Sequence, residues 1–299
     1  MFYKQLLRTF KLTKNMSTKA ISETSVLVDK IGKVTTIGIN RPEKRNCVDG
    51  TTAKLLEQAI LNFEEDDSSL TAVLHGTGGN FCSGYDMQEI AEIGDSYCGS
   101  YSEFSILPLK KMIRKPMVAS LSGYTVAGGL ELALLCDLRV MEETAVLGLY
   151  ERRFGIPISD GATVRLPALI GLSRALDLIL TGKSLTAKEA FEWGLANRIV
   201  ACGTGLGQAL QLATCLEKFP QDCLISDRDS AYNAAYTQVY EELLKYEKQN
   251  ANNVKLKNIV QGAKKFLSGI GRHGKSYHLK EKDCSDWEKE FNEFVKSKL

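Results

Sequence analysis

The chain has 299 residues, 44% hydrophobic and 25% charged. That composition excludes a disordered, collagen-like or low-complexity chain and suits one large domain or two modest ones. Apolar runs stay as short as residues 132–136, far below the roughly 18 residues of a membrane span, so no membrane insertion is expected. Lys plus Arg number 38 against 36 Asp plus Glu. Without a basic excess, nucleic acid is not the expected partner.

The eight cysteines form no C-x-x-C pair and only three histidines accompany them, so a Cys/His zinc cluster is not expected. Most of the cysteines lie in apolar segments, as Cys136 does, where a free thiol behaves as a small hydrophobe. A reducing compartment follows. The two ends carry address-like patterns. Residues 1–20 hold five basic residues and no acidic one, with Phe2, Leu6, Leu7 and Phe10 at near-helical spacing. That is the pattern of a mitochondrial leader, and a start at Met16 would delete most of it. Ser297, Lys298 and Leu299 read as a peroxisomal address. The peroxisome is the expected destination and the mitochondrion the alternative.

In chain order, residues 26–40 alternate apolar and polar around Gly32 and predict a β-hairpin. Residues 49–65 predict a helix, capped by Asp49 or Thr51, with Leu55, Leu56, Ala59, Ile60 and Phe63 on its apolar face. Residues 71–76 predict a buried strand. A glycine-rich loop follows, and Asp86 is placed to cap the next short helix. A helix is expected over roughly 106–114, ended by Pro116. A strand from Met117, a short apolar helix over 128–137 and strands over 138–149 come next. The run 173–182 is a helix stopped at Gly182. Another over 185–194 carries Thr186 and Glu189 at capping-box spacing, with Gly194 at its end. Strands alternate with helices to about residue 200, which argues for an α/β domain. The rest is helical and more charged. The expected organisation is a leader or tail over 1–20, an α/β core over 21–200 and a helical section over 201–299.

Three segments carry candidate chemistry: residues 79–86 (GNFCSGYD), 122–131 (SGYTVAGGLE) and 151–166 (ERRFGIPISDGATVRL). Gly128 and Gly129 open an apolar helix. Its first N–H groups sit at the positive end of the helix dipole and suit an anion or a developing oxyanion. Glu131 lies within that first turn. Taken singly, each segment also has a plain structural reading: tight helix packing for the glycines, a common loop for 79–86, a surface ion pair of Glu151 with Arg152 or Arg153. Asp160 before Gly161 reads as a turn former.

Together the three segments resemble the enoyl-CoA hydratase/isomerase family, the crotonases, over about residues 25–275. The resemblance implies an α/β fold, a crotonase-like spiral of ββα units with a helical C-terminal section. It implies that F-x-x-G-x-D supplies one oxyanion-hole amide, from Cys82, and that Gly128 supplies the second. Glu131 and Glu151 keep the family's twenty-residue separation between two catalytic acids. The implied CoA and substrate contacts are Arg41, Lys44, Ser83, Gly84, Tyr85, Asp86, Asp160 and Phe266. Several positions depart from the family pattern. Ala127 stands where a glycine is usual, Ser122 replaces a common Asn, and Ser159-Asp160 replaces small residues. Asp160 thereby leaves open a polar or hydroxylated acyl chain. The 151–157 run and the late Gly271-Arg272-His273-Gly274 look like a subgroup of mostly unassigned members.

The implied reaction adds water across the 2,3 double bond of an enoyl-CoA. Glu131 would deprotonate water at C3 and Glu151 would protonate C2, with one of the two acids holding its proton near neutral pH. No metal or redox cofactor is implied, since CoA belongs to the substrate. Homotrimers or homohexamers are implied by the same resemblance. The rival readings are an isomerase of the same fold, a CoA- or RNA-binding homologue with little catalysis, and a hydrolase or dehydratase of branched or hydroxylated acyl-CoA.

Overall fold

The computed structural model describes residues 24–92, 104–107, 112–236, 239–252 and 256–269. The leader, the terminal Ser-Lys-Leu, the 271–274 run, Cys98 and Cys284 lie outside them.

The expected hairpin forms from β1 (Val26–Ile31) and β2 (Val34–Ile39), paired antiparallel across a turn with Gly32 at φ 64°. β2 is buried at every position. Such a run fits a strand covered on both faces. α1 (Gly50–Glu65) follows, and Asp49 Oδ1 caps it by accepting Thr52 N–H at 2.8 Å. Its buried stripe runs through Ala53, Leu56, Ala59, Ile60 and Phe63. Leu55, expected on that stripe, is 41% exposed. At 100° per residue it falls beside Leu56 on the solvent shoulder of the helix.

β3 (Thr71–Gly76), β4 (Met117–Leu121), β6 (Leu138–Glu142) and β9 (Arg198–Val200) extend the sheet in parallel, giving the order β1-β2-β3-β4-β6-β9. A second sheet pairs β5 (Tyr124–Val126) with β7 (Val146–Gly148) in parallel, and β7 with β8 (Ser184–Thr186) antiparallel. The chain therefore steps from the large sheet to the small one at β4–β5 and again at β6–β7. α3 (Gly128–Leu135) follows the first step and a 3₁₀ turn (Tyr150–Phe154) follows the second. The site residues sit at these two corners.

α4 (Ala162–Ile170), α5 (Leu172–Thr181) and α6 (Ala187–Glu192) complete this half. α5 ends on Gly182 in the left-handed region, and α6 carries the predicted capping box of Thr186 and Glu189. The main core fills the space between the two sheets and α1, α3, α4 and α5. α7 (Gly205–Leu216) covers the other face of the large sheet, packing Ala209, Leu212 and Ala213 on Val34, Val73, Val118 and Val140. After α7, the described part of the helical section continues with α8 (Gln221–Ala235), α9 (Tyr240–Ala251) and α10 (Leu256–Leu267). α10 packs on α2 (Met87–Glu92) and on the 3₁₀ turn. Gly262 permits this approach, because a Cβ there would lie 1.7 Å from the Phe154 carbonyl oxygen.

The helix expected over 106–114 is corrected. Residues 106–107 and 112–114 are not helical, and 108–111 lie outside the described residues. The local N–H groups have other partners. Ile106 N–H donates to Asp160, while Arg114 and Lys115 N–H both donate to Glu64 Oε1 at 2.6 and 3.1 Å. Among the described residues no helix is long and apolar enough to cross a membrane, and no group of three His, Cys, Asp or Glu side chains is placed to hold a metal ion.

Candidate active site

A cavity of about 470 Å³ opens where the two sheet-to-sheet corners meet α10. Glu131 and Glu151, twenty residues apart in the chain, both line it. Glu131 is 4% exposed on the first turn of α3. Its Oε1 accepts the N–H groups of Asp160 and Ala162 at 2.9 and 3.0 Å. These donors belong to the turn that starts α4, and both complement negative charge on that oxygen. Glu151 is 7% exposed in the 3₁₀ turn. The ion pair with its basic neighbours, one reading of the sequence, does not form. Arg152 Nε donates to Ile179 O at 3.2 Å, and Arg153 Nη2 donates to Gly182 O at 2.7 Å while stacking on Tyr150.

The oxyanion donors need one correction. Cys82 N–H donates to Tyr124 O at 3.0 Å, and Cys82 O accepts Val126 N–H at 3.0 Å. Both backbone groups of Cys82 are used in a parallel bridge to β5, so the Cys82 amide cannot serve a ligand. Burial also pushes its thiol up to about 12. Three residues on, Tyr85 bridges Val48 in parallel: Val48 N–H donates to Gly84 O and Asp86 N–H donates to Val48 O. In that pattern the N–H of Tyr85 itself points away from Val48. Tyr85 and Gly128 both line the cavity. Gly84 (φ 98°) brings their two loops together, since a Cβ on it would lie 3.2 Å from Gly128 N. The F-x-x-G-x-D spacing identified this loop, but only the bonding pattern shows which of its amides remains available.

The basic residues at the cavity mouth divide. Arg41 does not line the cavity. It is held inside the wall, with Nη2 at 2.9 Å from Asp86 Oδ2 and 3.1 Å from Asp49 Oδ2, and Nη1 donating to Cys47 O at 2.7 Å. Its predicted ligand role is therefore replaced by a structural one. Lys44 lines the mouth, is 42% exposed and bonds Asp86 Oδ2 at 3.0 Å. Arg45, missed in the sequence although it closes the same basic turn, also lines the mouth, with its guanidinium 5.3 Å from the Tyr124 ring centre. Buried Asn46 fixes this turn by donating to Thr77 O and Asn80 O at 2.8 and 2.6 Å.

Of the residues expected to contact CoA or substrate, Ser83, Tyr85, Asp86, Asp160 and Phe266 line the cavity, whereas Gly84 acts by close approach rather than as lining. Phe266 packs edge-on to Phe154, ring centres 5.1 Å apart, so α10 contributes an apolar wall. Asp160 does not cap its own turn. Its carboxyl reaches across to Ser105 and Ile106, and burial raises it above the usual carboxylate range.

Known proteins are similar to this chain in sequence and fold. Residues 29–271 match the enoyl-CoA hydratase/isomerase family. The mevalonyl-coenzyme A hydratase sidH of Aspergillus fumigatus is 33% identical over 62% of this chain and 69% of its own. A probable mitochondrial enoyl-CoA hydratase of Dictyostelium discoideum is 30% identical over 74% of this chain and 79% of its own. The crystal structure of an enoyl-CoA hydratase from Mycobacterium tuberculosis superposes with a TM-score of 0.67 at 28% identity, covering 77% of this chain and 99% of that one. With two acids and a helix-start amide meeting in one cavity inside that fold, the chain belongs to the enoyl-CoA hydratase/isomerase family.

Proposed function

We propose that the cavity adds water across the 2,3 double bond of an enoyl-CoA thioester. One observation carries this reading: Glu131 and Glu151, on separate corners of the fold, line one cavity together with the Gly128 amide. The thioester carbonyl oxygen accepts hydrogen bonds from the N–H groups of Gly128 and Tyr85. Negative charge builds on that oxygen as water adds to C3, and fixed donors stabilise the charge without reorganising. Glu131, oriented by Asp160 and Ala162 N–H, takes a proton from the water whose oxygen bonds to C3. Glu151 delivers a proton to C2. The two transfers leave the pair with the protons it began with, so no further reactant is required. Lys44 and Arg45 at the mouth meet the phosphates of CoA. The chemistry assigned to these side chains uses no metal or redox group.

Retention of both acids favours hydration over double-bond migration, which one carboxylate can carry. The test is Glu151→Gln. The variant should bind CoA thioesters and lose crotonyl-CoA hydration, read as loss of 2-enoyl absorbance, by about 10²–10⁴-fold. Near-wild-type turnover removes Glu151 from the mechanism. Conversion of 3-enoyl to 2-enoyl thioester without hydration makes the chain an isomerase. RNA binding without turnover on any enoyl-CoA overturns the enzymatic reading.

The proposal extends to self-assembly as a homotrimer or homohexamer. Leu172, Leu176 and Leu180 repeat every four residues on α5 and are 63%, 39% and 64% exposed. An apolar stripe of this kind supports burial against another copy. A monomeric mass by light scattering would count against it.

A further inference from the structure

Asp160 touches two walls of the cavity at once. Its Oδ1 accepts from the Ser105 hydroxyl and its Oδ2 accepts Ile106 N–H at 3.1 Å. Its backbone N–H donates to Glu131 Oε1 at 2.9 Å. Its carbonyl oxygen accepts Arg165 Nη1 at 2.7 Å, and Arg165 also donates to the Tyr240 hydroxyl of α9. The residue is thus braced from α9 while holding both Glu131 and the 105–106 peptide.

Ile106 gives that second contact a consequence. It is 1% exposed, and its Cδ1 lies 3.0 Å from where a Cβ on Gly128 would be. The side chain therefore rests against the start of α3, beside the Gly128 amide. Hydrogen-bond donors act more strongly on a developing oxyanion where water is excluded. A displacement of about 1 Å among such groups can cost about 10²-fold in rate.

We propose that Asp160 is a positioning residue, registering the Glu131 carboxylate against the Ile106-shielded Gly128 amide through one pair of side-chain bonds and one backbone bond. The proposal rests on the hydratase reading. Its bonds do not require a charge. A protonated Asp160 donates to Ser105 Oγ and still accepts Ile106 N–H, in keeping with the rise that burial imposes on this carboxyl. The charged groups around it are Glu131 on α3, Glu151 in the 3₁₀ turn, Arg165 on α4 and Lys248 on α9. Asparagine can make the same two bonds, with its oxygen accepting from Ile106 and its amide donating to Ser105. Alanine can make neither.

The experiment measures kcat and KM for crotonyl-CoA hydration with the full chain as wild type, Asp160→Asn, Asp160→Ala and Ser105→Ala, well below each melting temperature. The expected pattern is near-wild-type kcat for Asp160→Asn and a fall of about 10–100-fold for Asp160→Ala with KM little changed. Ser105→Ala should fall several-fold in kcat, and adding it to Asp160→Ala should cause little further loss. Equal damage from Asn and Ala would mean that the carboxyl itself reacts. A loss confined to KM would mean that Asp160 contacts substrate, and an unchanged kcat in Asp160→Ala would remove its role. Each of these overturns the proposal. If Asp160→Ala does not fold, an unchanged kcat in Ser105→Ala or a damaged Asp160→Asn overturns it as well. Absence of hydration by the wild type overturns the hydratase reading and this one together, whereas active wild type with an indifferent Asp160 overturns this one alone.

Discussion

The two loops that lead from a strand of the large sheet toward the site, 77–86 and 122–127, look alike in sequence. Both are rich in small residues: the first holds Gly78, Gly79 and Gly84, and the second holds Gly123 and leads into Gly128-Gly129. They present their amides in different ways. The first is stitched into its surroundings: Phe81 N–H goes to Ser122 O, Cys82 N–H to Tyr124 O, Ser83 N–H to Arg45 O and Asp86 N–H to Val48 O. The second runs directly into α3, and Gly128 is available because the first N–H groups of a helix have no partner within it. In one loop the available donor is what the neighbours leave over; in the other it is a property of the helix start. A motif therefore locates a donor reliably when secondary structure dictates it, and only roughly when tertiary bonding does.

Forcing the two loops apart is the strongest way to break the comparison. Gly84 is at φ 98°, and a Cβ there would come within 2.8 Å of Ala127 Cβ and 3.2 Å of Gly128 N. Gly84→Val is expected to lower kcat for enoyl-CoA hydration by about 10²-fold, the typical cost of losing one oxyanion donor, with a smaller change in KM. Steady-state kinetics on the folded variant decides the point. A kcat within a few-fold of wild type would mean that Tyr85 and Gly128 do not act as a pair.

The same division runs through what could be read before the structure. The hairpin, α1, the capping box of α6 and the stop of α5 at Gly182 depend on neighbours in the chain, and the periodicity and cap residues announced them. The Glu131–Glu151 pairing was legible only through resemblance to a family, because no local rule joins two corners of different sheets. Arg41 and Cys82 were misread for one reason: each has the right type at the right spacing, but its donors are used by distant groups, Asp86 and Asp49 for one and Tyr124 for the other. The helix expected over 106–114 failed similarly, since its N–H groups are drawn away by Asp160 and Glu64. Asp160 was noticed as a departure from the family pattern, but its reach to residue 105 had no signal in the sequence.

A medium effect is expected where the first loop is anchored by charge. Burial alone would raise the Asp86 carboxyl, but hydrogen bonds from Lys44, Arg41 and Gln88 N–H outweigh it and hold the group below its ordinary range. A carboxyl lowered in the folded state stabilises the fold above its unfolded value, near pH 4, and that contribution is lost as pH falls through the folded value. Asp86→Asn should therefore cost about 1–3 kcal/mol at pH 7, with Lys44 adding little because its side chain is 42% exposed. The difference between the two proteins should shrink as pH falls through the folded Asp86 value. Denaturant titrations at pH 7 and at a series of successively lower pH values follow that change, and a constant difference across the series would mean that the charge of Asp86 is not what holds the loop.

The smallest effect, and the one of opposite sign, belongs to the second loop. Ala127 sits at φ 55° and ψ −135°, a conformation costly for any residue with a Cβ, and it is the residue from which α3 begins. The position is held by Ala127 N–H donating to Gly148 O at 2.8 Å and by its carbonyl accepting Leu130 N–H at 2.8 Å. Strain of this kind costs about 1–3 kcal/mol. Glycine would relieve it while adding about 0.4–1 kcal/mol of unfolded-state entropy to be overcome. Ala127→Gly should therefore gain about 1 kcal/mol, which for a chain of this size raises Tm by about 2–4 °C. Because the bonds that place Gly128 are backbone bonds, kcat should be unchanged. A more stable protein with a lower kcat would show instead that the Ala127 methyl, packed toward Gly84, helps to set the distance between the two donors. The second loop would then depend on a side chain as the first does, and the contrast between the loops would narrow to the helix start alone.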